Sequence, residues 1–118
     1  MKIMIIDDEE AIRELFTQFM EMRGYKDVLA VATGKDAIAQ AAAQKPDVAF
    51  LDVQLADNIT GIEVLKNIRE LSPTTKVIMM SSYQDEYGAL TQSMGAFDFL
   101  RKPFTSESLK NMIKKVAG

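Results

Sequence analysis

The stretch Ile3-Met4-Ile5-Ile6-Asp7-Asp8-Glu9-Glu10 decides how the rest of the chain is read. Four apolar residues bounded by charge are too few for a helix and suit a buried strand, and the turn to acidic residues marks its end. Two other runs repeat the pattern: Val48 to Leu51, closed by Asp52, and Val77 to Met80, closed by Ser81-Ser82. Val28 to Ala32 and Ala96 to Leu100 are strand-like but carry charge at or near them (Lys26, Asp27 and Asp98), as an edge position tolerates. Five strands are expected, with the first, third and fourth central.

Helical spacing fills the intervals. Ile12, Leu15, Phe16, Phe19 and Met22 recur at steps of three and four, as do Ile62, Leu65 and Ile68, then Tyr87, Leu90 and Met94, then Leu109, Met112, Ile113 and Val116. The alanine-rich segment from Asp36 to Gln44 supplies another helix, and Gly24, Gly34, Gly61 and Gly95 punctuate junctions. Five strand–helix units predict an α/β, doubly wound, three-layer sandwich on a five-stranded parallel sheet of order 2-1-3-4-5. In that order the chain reverses direction between strands one and three, and ligands bind at their carboxyl ends.

Composition narrows the chemistry. The 118 residues are of single-domain length, so residues 1–118 are expected to form one unit. With 47% hydrophobic and 26% charged residues the chain is an ordinary globular one. Cysteine and histidine are both absent, which removes disulfides, zinc thiolates, imidazole bases and Ser/His/Asp triads together. A net charge of -3 leaves no broad footprint for nucleic acid or an anionic membrane, and Lys110, Lys114 and Lys115 read as a solvated face. No apolar run reaches membrane-spanning length and no export signal precedes Asp7, so a cytoplasmic location is expected.

The strand ends carry the chemistry. Asp7 and Asp8 follow strand one, Asp52 ends strand three, Ser81 follows strand four and Lys102-Pro103 follows strand five. Singly, each has a bland role as a helix-end charge, a cap or a turn residue. Jointly, three carboxylates on one rim repel unless a cation or proton compensates. All-oxygen ligands suit Mg²⁺, which would neutralise phosphoryl oxygens on one side while Lys102 does so on the other and Ser81 hydrogen-bonds the rest. Asp52, ending a fully apolar run, is the candidate nucleophile.

The segments IMIIDDEE, FLDVQ, VIMMSS and LRKPF, in this order across the whole chain, resemble the receiver domain of two-component response regulators, a flavodoxin-like fold. The resemblance implies that Asp52 accepts a phosphoryl group from a phosphohistidine on a sensor histidine kinase or phosphotransfer protein. It makes Asp7, Asp8, Asp52 and the backbone carbonyl of Gln54 the Mg²⁺ ligands, and Lys102 the partner of the phosphoryl group, joined to Pro103 by a cis bond. Ser81 and Phe99 become a switch: the Ser81 hydroxyl follows the phosphoryl group and Phe99 turns into the vacated space, which reshapes helix four, strand five and helix five. That surface is a candidate homodimer contact on activation. Phe97 shares a strand face with Phe99, so core filling is an equal alternative for Phe99.

Two departures from the family pattern stand out. The loop 53–61 lacks a proline four residues after Asp52 and is one residue longer, and Ser82 stands where alanine is common. Gln54 and Tyr83 occupy positions that in the family tune phosphoryl lifetime; the bulky Tyr83 is expected to slow hydrolysis, so Tyr83→Ala should shorten that lifetime. An aspartate-nucleophile phosphatase on a similar sheet is the alternative enzyme, but it generally carries a second aspartate where this chain has Gln54. A flavodoxin-type flavin carrier would need a phosphate cradle where Asp7 to Glu10 stand. The output is open between a stand-alone regulator, a phosphorelay intermediate and a receiver cut from a longer protein.

Overall fold

The computed structural model describes every residue except 56, 57, 83 and 118, and residues 84 and 85 by backbone alone. Strands β1 (Ile3–Ile6), β2 (Val28–Val31), β3 (Val48–Asp52), β4 (Lys76–Ser81) and β5 (Asp98–Arg101) alternate with helices α1 (Glu10–Met22), α2 (Gly34–Gln44), α3 (Gly61–Leu71), α4 (Gln84–Ser93) and α5 (Ser106–Ala117). The five strands are parallel and lie in the order β2-β1-β3-β4-β5, as the alternation of runs predicts.

Why the central runs are apolar throughout follows from the two layers that cover them. Ile3 and Ile5 point into a cluster with Phe16 and Met20 of α1 and Leu109, Ile113 and Val116 of α5. Met4 and Ile6 point the other way, onto Ala37 and Ala41 of α2 and Val64, Leu65 and Ile68 of α3. A strand covered on both faces has no polar side to alternate with. The small alanines of α2 let that helix lie close to α3, and at its start a Cβ on Gly34 would stand 2.9 Å from the Val64 side chain.

Helix starts are fixed locally. The Thr33 and Thr60 hydroxyls accept from the Asp36 and Glu63 N–H groups, each satisfying a donor that the first turn would leave unpaired, worth about 1 kcal/mol. Away from the site, the buried Ser72 and Thr75 hydroxyls bond each other at 2.6 Å, and Thr75 donates to the Pro46 carbonyl. At the same end of the sheet, Lys76 Nζ donates to the Val116 carbonyl of α5.

Three expectations from periodicity are corrected. The fifth strand begins at Asp98, not Ala96, and Phe97 is 40% exposed beneath the Lys76 ammonium instead of packing beside Phe99. On α4, Leu90 faces solvent and Thr91 is buried, because the Thr91 hydroxyl returns to the Tyr87 carbonyl and so carries no unmet bond inward. On α1, Leu15 and Met22 are exposed, and Phe16 and Met20 supply the buried face.

Candidate functional site

Register brings the acidic residues together. Ile6 pairs with Leu51 across β1 and β3, so the residues that follow, Asp7 and Asp52, leave the sheet side by side. Asp52 pairs with Met80 on the next strand, and Ser81 pairs with Arg101, one residue before Lys102. All of the strands end on this rim because all are parallel, and only here do their last side chains converge.

Two strands end in the same way. Asp7 Oδ1 accepts from the Glu9 N–H at 2.9 Å, and Asp52 Oδ1 accepts from the Gln54 N–H at 3.0 Å, each carboxylate closing the turn that follows it. The remaining oxygens face one donor. Lys102 Nζ bonds Asp7 Oδ2 at 2.8 Å and Asp52 Oδ2 at 3.0 Å. Its bond to Pro103 is cis. The ammonium is drawn between two buried carboxylates that would otherwise repel.

Burial pushes the Asp52 carboxyl above its usual 3.8, against the Gln54 N–H and the Lys102 bond and charge, which favour ionisation; the neighbouring Asp7 charge adds to the rise. For Lys102, desolvation acts to lower the ammonium's value, but the bonds to Asp7 and Asp52 outweigh it and hold the group above its usual 10.5. At Asp52 burial prevails over the neighbours, and at Lys102 the neighbours prevail over burial.

The oxygen atoms of Asp7, Asp8 and Asp52 lie within 4.8 Å of one another, with Asp8 exposed and the other two buried. Three carboxylates against one ammonium leave two negative charges at the rim, the charge of one divalent cation. An all-oxygen donor set with one side open to solvent fits Mg²⁺, which retains waters where protein ligands are missing. Gln54 is exposed and tied to Asp52 through its N–H. Ser81 is buried, at 1% exposure, and its carbonyl accepts from the Lys102 N–H. Ser82 is exposed, and Phe99 is half-buried against the cluster that holds Met79 and Val77. Tyr83, with Ala56 and Asp57 of the long loop, lies outside the described residues.

Two contributors escaped the sequence reading. Arg13 Nη1 donates to the Asp7 carbonyl at 2.9 Å, tying the first turns of α1 to the end of β1. Its only sequence signal is a basic residue five positions beyond Asp8 in an otherwise acidic stretch. Gly61, expected only to precede a helix, begins it with its N–H on the Val53 carbonyl at 2.9 Å.

The model of the response regulator receiver domain family matches residues 3–114. Among curated proteins, the chain is 34% identical over 98% of its length to the alkaline phosphatase synthesis transcriptional regulatory protein PhoP of Bacillus subtilis, covering 48% of that protein. It is 31% identical over 97% of its length to the sporulation initiation phosphotransferase F of Bacillus subtilis, covering 91% of it. The chain thus spans about half of the first relative and nearly all of the second. Among solved structures, the receiver domain of NtrX from Brucella abortus aligns with a TM-score of 0.90 at 26% identity, over 98% of this chain and 97% of that one. Vibrio cholerae chemotaxis protein CheY4 aligns at 0.87 and 29%, with the same coverage. Fold, strand order and a match over nearly the whole length agree: the chain belongs to the response regulator receiver domain family.

Proposed function

We propose that residues 1–118 act as one receiver unit in which Asp52 accepts a phosphoryl group from the phosphohistidine of a sensor histidine kinase or phosphotransfer protein. The observation that carries this reading is the placement of Lys102 Nζ within 3.0 Å of Oδ2 on both Asp7 and Asp52. That arrangement keeps a cation beside the carboxylate that reacts. An Asp52 oxygen attacks phosphorus, the phosphorus–nitrogen bond breaks, and the donor imidazole leaves with the bonding pair. Bound Mg²⁺ supplies charge neutralisation to the phosphoryl oxygens. Asp7, Asp8 and Asp52, with the Gln54 carbonyl, are the residues that would hold it. Lys102 shifts its hydrogen bond from Asp52 to the phosphoryl group, so its charge follows the charge that moves.

The step replaces the single charge of the Asp52 carboxylate by an acyl phosphate of about two, a net gain of about one negative charge spread over three new acceptor oxygens, and Ser81, one residue beyond Met80 on the neighbouring strand, is the hydroxyl that answers them. Phe99 pairs with Met79, two residues before Ser81 on the same strand, which supports a movement of Phe99 when Ser81 moves. The surface so altered is that of α4, β5 and α5, a candidate contact for an effector or a second copy. The chain catalyses its own phosphorylation and dephosphorylation on this reading, with other proteins as donor and receiver of the signal.

The test is incubation with Mg²⁺ and a small acyl phosphate, followed by intact-mass measurement. Wild type should gain one phosphoryl group, and Asp52→Asn should gain none. Equal labelling of the two proteins would remove Asp52 from this role, and labelling undiminished by a chelator would remove the acidic rim from metal binding.

A further inference from the structure

Helices α2, α3 and α5 each open on a threonine hydroxyl that accepts an N–H of the first turn, from Asp36, Glu63 and Ser108. Helix α1 does not. Glu9 precedes its first residue and makes no side-chain capping bond, so the turn between β1 and α1 is closed by other means. One closure is the Asp7 carboxylate on the Glu9 N–H. The other is Arg13, which grips the turn at two points. Its backbone N–H donates to the Glu9 carbonyl at 3.2 Å, and its Nη1 donates to the Asp7 carbonyl at 2.9 Å. The residue between those two carbonyls is Asp8, the one exposed carboxylate of the acidic rim.

Charge does not account for the contact. Asp7, Asp8, Glu9 and Glu10 all lie within six positions of Arg13, yet among the described residues none forms an ion pair with it, and the ion pairs at the rim belong to Lys102. The guanidinium goes instead to a neutral oxygen of a fully buried residue, where a lost hydrogen bond is costly. A fixed positive charge beside a cation site weakens the cation's binding. The bond offers order in return. With the carbonyls on both sides of it held, Asp8 has little besides side-chain freedom to lose when an ion arrives.

We infer that Arg13 is a positioning residue for the divalent cation: its side chain holds the backbone on either side of Asp8, and so keeps the exposed carboxylate aimed at the rim before any ion binds. The inference rests on the reading of that rim as a Mg²⁺ site. The bond from the Arg13 N–H to the Glu9 carbonyl survives any substitution other than proline, so the side-chain bond to the Asp7 carbonyl is the part that a variant can remove.

Calorimetric titration of the chain with Mg²⁺ tests it, because order and charge predict opposite signs. Arg13→Met keeps an aliphatic stem and loses the donors; it should raise the dissociation constant about fivefold, as expected when the backbone of about one residue is released. Were the guanidinium acting through its charge alone, the same change would lower the constant. Arg13→Lys retains the charge and a donor for the Asp7 carbonyl, and should stay within about twofold of wild type. Gly24→Ala, just past the other end of α1, strains a positive φ without touching the turn, and should also stay within about twofold. In the metal-free chain, amide relaxation measured by NMR should show Asp8 and Glu9 more mobile in Arg13→Met than in wild type or Arg13→Lys. A constant unchanged or lower in Arg13→Met, or amides as ordered as in wild type, would overturn the inference and leave the metal site standing. A wild type that takes up no Mg²⁺ would instead strike the metal reading itself, and the inference with it.

Discussion

Gly61→Ala is expected to cost about 3 kcal/mol or more in folding stability and to weaken metal binding at the rim in whatever fraction still folds. A Cβ at this position would stand 2.1 Å from the Asp52 carbonyl oxygen, 2.6 Å from the Val53 Cα and 2.7 Å from the Val53 oxygen. All three atoms are backbone, so none can swing aside. Relief requires α3 to lift away from β3, which breaks the bond from the Gly61 N–H to the Val53 carbonyl and drags Asp52, the residue just before it. Urea denaturation gives the stability and calorimetric Mg²⁺ titration the second effect. Gly24→Ala is the contrast: nothing lies within 4 Å of its Cβ, and only the positive φ of 87° opposes it, for a loss of about 1 kcal/mol. Equal losses for the two variants would refute the close approach as the cause.

Lys102→Met should destabilise the metal-free chain by about 3 kcal/mol near neutral pH, because it leaves the Asp7 and Asp52 carboxylates buried without their cation. The pH dependence has a definite sign. In the folded chain Asp52 is held above its ordinary 3.8, so its contribution is full below that value and declines as pH rises through the folded value. Removing Lys102 removes two influences that lower the Asp52 value, so the deficit at neutral pH grows and acidification toward 4 recovers part of it. Lys102 itself is held above 10.5, so its stabilisation is complete at neutral pH and is lost only as pH climbs through its still higher folded value. The difference between variant and wild type should therefore be widest in the neutral range, and millimolar Mg²⁺ should narrow it. Urea midpoints at several pH values, with and without Mg²⁺, check this; coincident midpoints at neutral pH would show that the ammonium compensates nothing.

What the sequence discloses tracks how a residue is used. β1, β3 and β4 were legible because burial on both faces leaves uniformly apolar runs, and Asp7, Asp52 and Ser81 were legible because they end those runs. The apolar pair Ala96 and Phe97 reads as the start of β5 two residues early, because Ala96 packs against the core from the turn before the strand and Phe97 lies exposed under Lys76. Leu90 and Thr91 exchange roles because a hydroxyl that bonds its own helix can be buried like a methyl group. Arg13 acts through a backbone carbonyl, and any residue provides one of those, so no partner type in the sequence betrays it. Lys102 was assigned to a phosphoryl group, but its contact with Asp7 depends on a register across β1, β3, β4 and β5 that only the assembled sheet supplies.

The paired turns at the ends of β1 and β3 bear on the entropy of whatever arrives. Asp7 and Asp52 each have one oxygen fixed by a backbone N–H two residues on and the other by the same ammonium. Their rotamers are frozen during folding, when the loss of about 0.5–1.5 kcal/mol of side-chain freedom apiece is absorbed by the whole cooperative structure. An ion or phosphoryl group reaching the rim meets two carboxylates already immobile, and of the three acidic side chains only the exposed Asp8 still has freedom to surrender.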